Sequence, residues 1–141
     1  MEAWRWVTLS TALAATVALT ILLDSVVLID HLNGISAATS YLEKAHGQSA
    51  ISVITRAEVL AGFEDRERSQ VLPFLNAFPT LDINRDIADL AGALRHQHGW
   101  KLPDAFQAAL ASRHRLKLAT RNLRDFPAAA RFAFVVSPYT I

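Results

Sequence analysis

The run Ile21-Leu22-Leu23-Asp24-Ser25-Val26-Val27-Leu28-Ile29-Asp30 constrains this chain more than any other stretch. Continuous Ile, Leu and Val without polar alternation is the pattern of a central parallel strand covered on both faces. Such a strand delivers Asp24 to the C-terminal edge of a sheet, which is where open α/β folds build their sites. The rest of the chain can therefore be read for partners of Asp24.

The chain has 141 residues, 52% of them apolar, which is enough for one domain to bury a substantial core without staples. It contains no cysteine. That excludes a disulfide framework and a thiolate zinc site, and it suits a reducing, cytoplasmic setting. The net charge of +1 conceals an asymmetry, because Arg95 to Arg131 holds eight basic residues against two acids, Asp104 and Asp125. A basic half of this kind points to a polyanion partner around a metal, with a solvated Arg and Lys face as the plainer reading.

Residues 1–20 stand apart. Val7 to Leu23 is 17 residues without a charge, at the lower limit for crossing a bilayer, and a span would consume the strand leading into Asp24. Glu2 offsets Arg5, and the apolar core before Ala12-Leu13-Ala14 is short for a cleaved signal. The expectation is a dispensable extension or a start assigned too far upstream, with a membrane or targeting role or an ordinary packed helix as alternatives. The folded domain is expected over 21–141, and membrane contact is not expected.

Downstream, Val27, Leu28 and Leu32 begin a short helix that Asn33-Gly34 stops. A second helix is expected from Ser36, as cap, to Ala45, with Gly47 as terminator. Ala50–Ile54 reads as a strand running into a helix over Thr55–Phe63. The charged segment Glu64–Gln70 leads to another helix, and Pro79 precedes a strand over Thr80–Ile83. Asn84 is a candidate cap for a helix carrying Ile87, Leu90, Ala91 and Leu94 on one face, ended by Gly99. Pro103 suits the first position of a helix continuing to His114. Leu116–Thr120 is a strand, Arg121–Pro127 a loop, and Phe132–Val136 a last strand. Alternating strands and helices imply a parallel sheet between helical layers.

Four acids fall where this architecture places a site: Asp24, Glu58, Asp104 and Asp125. Each has a simpler explanation. Asp24 suits a turn, Thr55-x-x-Glu58 spells a capping box, Asp104 follows Pro103 where a helix dipole favours a negative charge, and Asp125 suits a cap. Asn122 is by default a turn residue. Taken together they repel one another unless a cation intervenes. Oxygen-only ligation favours Mg²⁺ or Mn²⁺, and such an ion suits phosphodiester hydrolysis. His96-x-His98 does not face one way on a helix, and neither a Gly-rich phosphate loop nor a G-x-S-x-G elbow is present.

Four segments then carry a resemblance: Leu22 to Asp30, Ile51-Ser52-Val53-Ile54-Thr55-Arg56-Ala57-Glu58-Val59-Leu60-Ala61-Gly62, Leu102-Pro103-Asp104-Ala105, and Ala119-Thr120-Arg121-Asn122-Leu123-Arg124-Asp125-Phe126. In this order they resemble PIN-domain ribonucleases, specifically the VapC-like toxins of toxin–antitoxin modules. The resemblance implies a three-layer α/β/α sandwich with a mainly parallel sheet and a Mg²⁺- or Mn²⁺-dependent endoribonuclease acting on RNA. It makes Asp24, Glu58 and Asp104 the principal metal ligands, Asp125 the completing acid, and Asn122 and Thr120 lesser members. Arg121 and Arg124 are expected to contact the RNA backbone. A cognate antitoxin that blocks the acidic groove and a homodimer are further implications. Val26 stands where the family usually has Asn, so the alternative is a catalytically inactive PIN-like module that binds RNA or protein.

Overall fold

The computed structural model describes residues 18–123 and 135–141. Among them, five short strands form one sheet: β1 (Ile21–Leu23), β2 (Ser49–Ser52), β3 (Thr80–Leu81), β4 (Lys117–Ala119) and β5 (Val135–Val136). Their order is β3-β2-β1-β4-β5 and every pairing is parallel. Six helices accompany them: α1 (Ser25–Leu32), α2 (Ser36–Lys44), α3 (Val53–Ala61), α4 (Asp65–Asn76), α5 (Arg85–His98) and α6 (Leu102–His114). No helix among the described residues is long and apolar enough to cross a membrane.

Side chains alternate across a strand, so neighbouring residues of β1 serve different cores. Leu22 joins Ala50 and Leu118 in a cluster with Ile87, Ala91, Trp100 and Leu110 on the α5 and α6 side. Leu23 joins Ile51 and Ala119 in a second cluster with Val27, Leu42, Val59 and Phe74, from α1 to α4. All six of these strand residues are fully buried. This is the expected three-layer sandwich with a parallel sheet, and burial on both faces is why the run into Asp24 carries no polar residue. Each leucine so buried contributes roughly 2 kcal/mol.

Several boundaries differ from the sequence expectations. β2 ends at Ser52, because the Ser52 hydroxyl accepts the Thr55 amide at 3.0 Å and caps α3. Val53 and Ile54 are therefore helical despite their β-branched side chains. Thr55 is the third residue of α3, so Thr55-x-x-Glu58 is not a capping box. Ser36 lies inside α2, whose cap position is Ile35 without a side-chain bond. The charged segment from Asp65 is itself the start of α4, where Glu67 accepts the Glu64 amide at 3.1 Å. Pro103 is the second residue of α6, after Leu102. The third strand stops at Leu81, and Ile83 instead packs against the first core. The fourth is confined to Lys117–Ala119, and of the last expected strand residues 132–134 lie outside the described residues.

The expected caps of α5 are present. The Asn84 carboxamide oxygen accepts the Ile87 amide at 2.9 Å, and Gly99 ends the helix at φ 72°, where a Cβ is strained. Asn84→Ala is accordingly expected to lower stability by about 1 kcal/mol, measured by urea denaturation with an unchanged m-value.

Candidate active site

β1 delivers Asp24 to the C-terminal edge of the sheet. The Asp24 amide continues the ladder to the Ala119 carbonyl at 3.0 Å, and the residue is then the cap of α1. The residue is 7% exposed, so its carboxylate oxygens need hydrogen-bond donors from the protein. Oδ1 accepts the Ser25 amide at 2.9 Å and, at a longer 3.4 Å, Nε2 of Gln107. Oδ2 accepts the Thr120 hydroxyl at 2.7 Å. Thr120, fully buried, also accepts the Asn122 amide at 3.1 Å, so the loop after β4 is tied to Asp24 through one hydroxyl.

Glu58 lies on α3 and is brought beside Asp24. Partial desolvation pushes its carboxyl above the ordinary value of 4.5, and the charge of Asp24 adds to the shift. A hydrogen bond from the Ser25 side chain acts in the opposite direction. Ser25 thus touches both acids, its amide on Asp24 and its side chain on Glu58. The Glu58 side chain keeps an exposed side while its carboxyl sits in this repulsive setting.

A buried network supports the pair from below. Nε2 of Gln107 donates to the Thr55 hydroxyl at 2.7 Å, and that hydroxyl donates to the Leu23 carbonyl at 3.2 Å. β1, α3 and α6 are joined here beneath the acids. Asp104 is half-buried in the first turn of α6, one helical turn before Gln107. Arg124 and Asp125 lie outside the described residues. Asn122 is exposed just past the end of β4.

Arg121 has a carboxylate partner on α1. Its Nε and Nη2 donate to the two carboxylate oxygens of Asp30 at 2.8 and 3.0 Å, and the Tyr139 hydroxyl donates to Oδ2 at 2.7 Å. A guanidinium held in this two-point grip is an anchor between α1 and the loop after β4. Burial pushes the Asp30 carboxyl up, but the bonds from Arg121 and Tyr139 and the charge of Arg121 outweigh it and hold the carboxyl low. The Tyr139 hydroxyl is pushed up by burial and by Asp30. Sequence reading missed Ser25, Asp30, Gln107 and Tyr139 as contributors. Only Gln107 left a signal there, as an amide among the buried alanines of α6.

The PIN domain family model matches residues 21–132. The chain belongs to the PIN-domain family. Ribonuclease VapC10 of Mycobacterium tuberculosis is 39% identical over 114 residues, which span 76% of this chain and 86% of that protein. Ribonuclease VapC19 of the same organism is 32% identical, over 75% of this chain and 91% of that protein. Among solved structures, a toxin–antitoxin complex from Klebsiella pneumoniae superposes with TM-score 0.78 at 41% identity, covering 86% of this chain and all of the matched one. FitAcB from Neisseria gonorrhoeae shares the fold with TM-score 0.69 at 23% identity. Within this PIN fold Val26, at the position noted above, packs partly buried against the second core.

Among the described residues no group of three or more His, Cys, Asp or Glu side chains is placed to hold a metal ion. The Asp24 and Glu58 pair still suits a hard cation, since both donors are carboxylate oxygens and their mutual repulsion is what a cation relieves. Two outcomes follow from the electrostatics. Because Glu58 holds its proton to higher pH in the folded state, metal-free stability falls as pH rises from 4.5 through its raised value. Glu58→Gln should therefore match wild type at acid pH and exceed it at neutral pH in melts with chelator. Asp30 shows the opposite sign: its stabilisation is present above 3.8 and is lost as pH falls through its depressed value. Asp30→Asn should lose about 2 kcal/mol at neutral pH and converge on wild type in strong acid, as followed by urea denaturation.

Proposed function

We propose that this chain is a metal-dependent endoribonuclease toxin held in check by a cognate antitoxin. The observation that carries the reading is the pairing of Asp24 with Glu58 at the C-terminal edge of β1 in a PIN fold, in a setting that pushes the Glu58 carboxyl up. Kinship with proteins named as VapC ribonucleases supports the reaction, and likeness to a toxin–antitoxin complex supports the partner.

Asp24 and Glu58 would hold Mg²⁺ or Mn²⁺, joined by Asp104 from α6 and by Asp125. When bound, such an ion supplies Lewis acidity toward the scissile phosphate and makes water a better nucleophile. The chain's own residues do the rest. Ser25, Gln107 and Thr120 fix the plane of the Asp24 carboxylate, so the anion is organised before substrate arrives. Ser25 also steadies Glu58. The excess of Arg and Lys from Arg95 onward gives the chain a basic half that suits a polyanion such as RNA. Arg121 serves that end indirectly, by fixing the loop that carries Thr120.

A groove of about 230 Å³ opens beside Glu58 between α1 and α3, walled by Ile29, Leu32, Val59 and Phe63. Its apolar walls and acidic neighbour suit an antitoxin segment that carries apolar side chains and a basic residue, which would cover the acidic pair.

Glu58→Gln and Asp104→Asn are each expected to keep the fold and reduce divalent-dependent RNA cleavage by at least about a hundredfold, beyond what loss of an outer donor costs. Cleavage of a mixed RNA substrate with Mn²⁺, beside circular dichroism spectra, checks this. Undiminished cleavage by both variants refutes the assignment, and failure of the wild-type chain to bind Mn²⁺ favours a non-catalytic binding module.

A further inference from the structure

We propose that Gln107 is a positioning residue that limits Asp24 to ligation through one oxygen and so biases the site toward small octahedral cations over Ca²⁺. This rests on the metal site proposed above. A carboxylate offers about four lone-pair positions, two on each oxygen. At Asp24 both positions of Oδ1 are engaged, by the Ser25 amide at 2.9 Å and by Gln107 at 3.4 Å. Thr120 takes one of the two on Oδ2 at 2.7 Å. One position on Oδ2 remains for a cation, which makes Asp24 a single-oxygen donor. Mg²⁺ accepts such donors in near-ideal octahedral geometry, whereas Ca²⁺ takes about six to eight oxygens and gains when a carboxylate can supply both of its own.

The orientation of the Gln107 amide is fixed by its surroundings. The Thr55 hydroxyl gives its proton to the Leu23 carbonyl, so it can only accept from Gln107. With Nε2 turned toward Thr55 and Asp24, both of its protons are used, and a reversed amide would set Oε1 against the Asp24 carboxylate. The consequence falls on Oε1, which is buried with no hydrogen-bond partner in a residue only 1% exposed. An unsatisfied buried acceptor costs roughly 1 to 3 kcal/mol. The alanines around it on α6, Ala105, Ala108, Ala109 and Ala111, are fully buried. The Thr55 bond ties α6 to α3, while the second Nε2 proton goes to Asp24. That second bond is the amide's contribution to the carboxylate.

Gln107→Met keeps length and volume while removing both donors and the orphaned acceptor. Calorimetric titration of the full chain with MnCl₂ and with CaCl₂, without RNA, reads the effect on wild type and variant. The Mn²⁺ to Ca²⁺ affinity ratio is expected to fall about tenfold, the lower range for an outer-shell donor, with an unchanged circular dichroism spectrum. Gln107→Leu repeats the measurement should the methionine disturb the fold. An unchanged ratio, or equal weakening of both ions, overturns the role of Gln107 while leaving the metal site standing. If the wild type binds neither ion, the metal site and this inference fall together.

Discussion

A carboxylate only 7% exposed needs hydrogen-bond donors around it, and at Asp24 those donors come from α1, α6 and the residue after β4. Ser25 opens α1, Gln107 sits on α6, and Thr120 follows β4. Ser25 is a chain neighbour, but Gln107 and Thr120 do not meet Asp24 unless β1 is flanked by β4 and covered by α6. The charge at the end of the central strand and the sandwich around that strand are therefore one construction. Loosening either β4 or α6 would leave a buried carboxylate short of donors.

Asp30 on α1 and Glu58 on α3 show opposite electrostatics. Asp30 is met by the Arg121 fork and the Tyr139 hydroxyl, and its carboxyl is held low. Glu58, facing α1 from α3, meets the charge of Asp24 and is pushed up. A compensated acid is a structural tie, and an uncompensated one within a groove has the character of a site. By this criterion Arg121 belongs to the scaffold. It links α1, the loop after β4 and the C-terminal residues around Tyr139, and it thereby steadies the loop that presents Thr120 to Asp24.

Much of the fold was legible because burial leaves a local trace. A strand covered on both faces favours apolar residues throughout, and Ile21 to Leu23 is such a run. Asn84 and Gly99 mark the ends of α5 because capping uses groups within three or four residues. The start of α3 was not legible in the same way. Ser52 and Thr55 are both hydroxyl residues at capping spacing, and Val53 and Ile54 continue a strand pattern. The pairing of Ser52 with Leu81 and the burial of Ser52 and Thr55 decide that the helix starts earlier. Glu58 moves with that decision, from a cap to a side chain beside Asp24.

The sequence by itself determined the layered parallel architecture and the acids most worth attention, because hydrophobic period and residue chemistry are properties of neighbours along the chain. It could not determine which acids meet or what holds them. Gln107 lies 83 residues from Asp24, and Arg121 lies 91 from Asp30. Hydrogen bonds over such separations are set by strand order and helix packing, which leave no local pattern in composition or spacing. Tertiary structure alone therefore decided that Arg121 is an anchor, that Ser25 joins two carboxylates, and that a buried glutamine stands behind the acid at the end of the central strand.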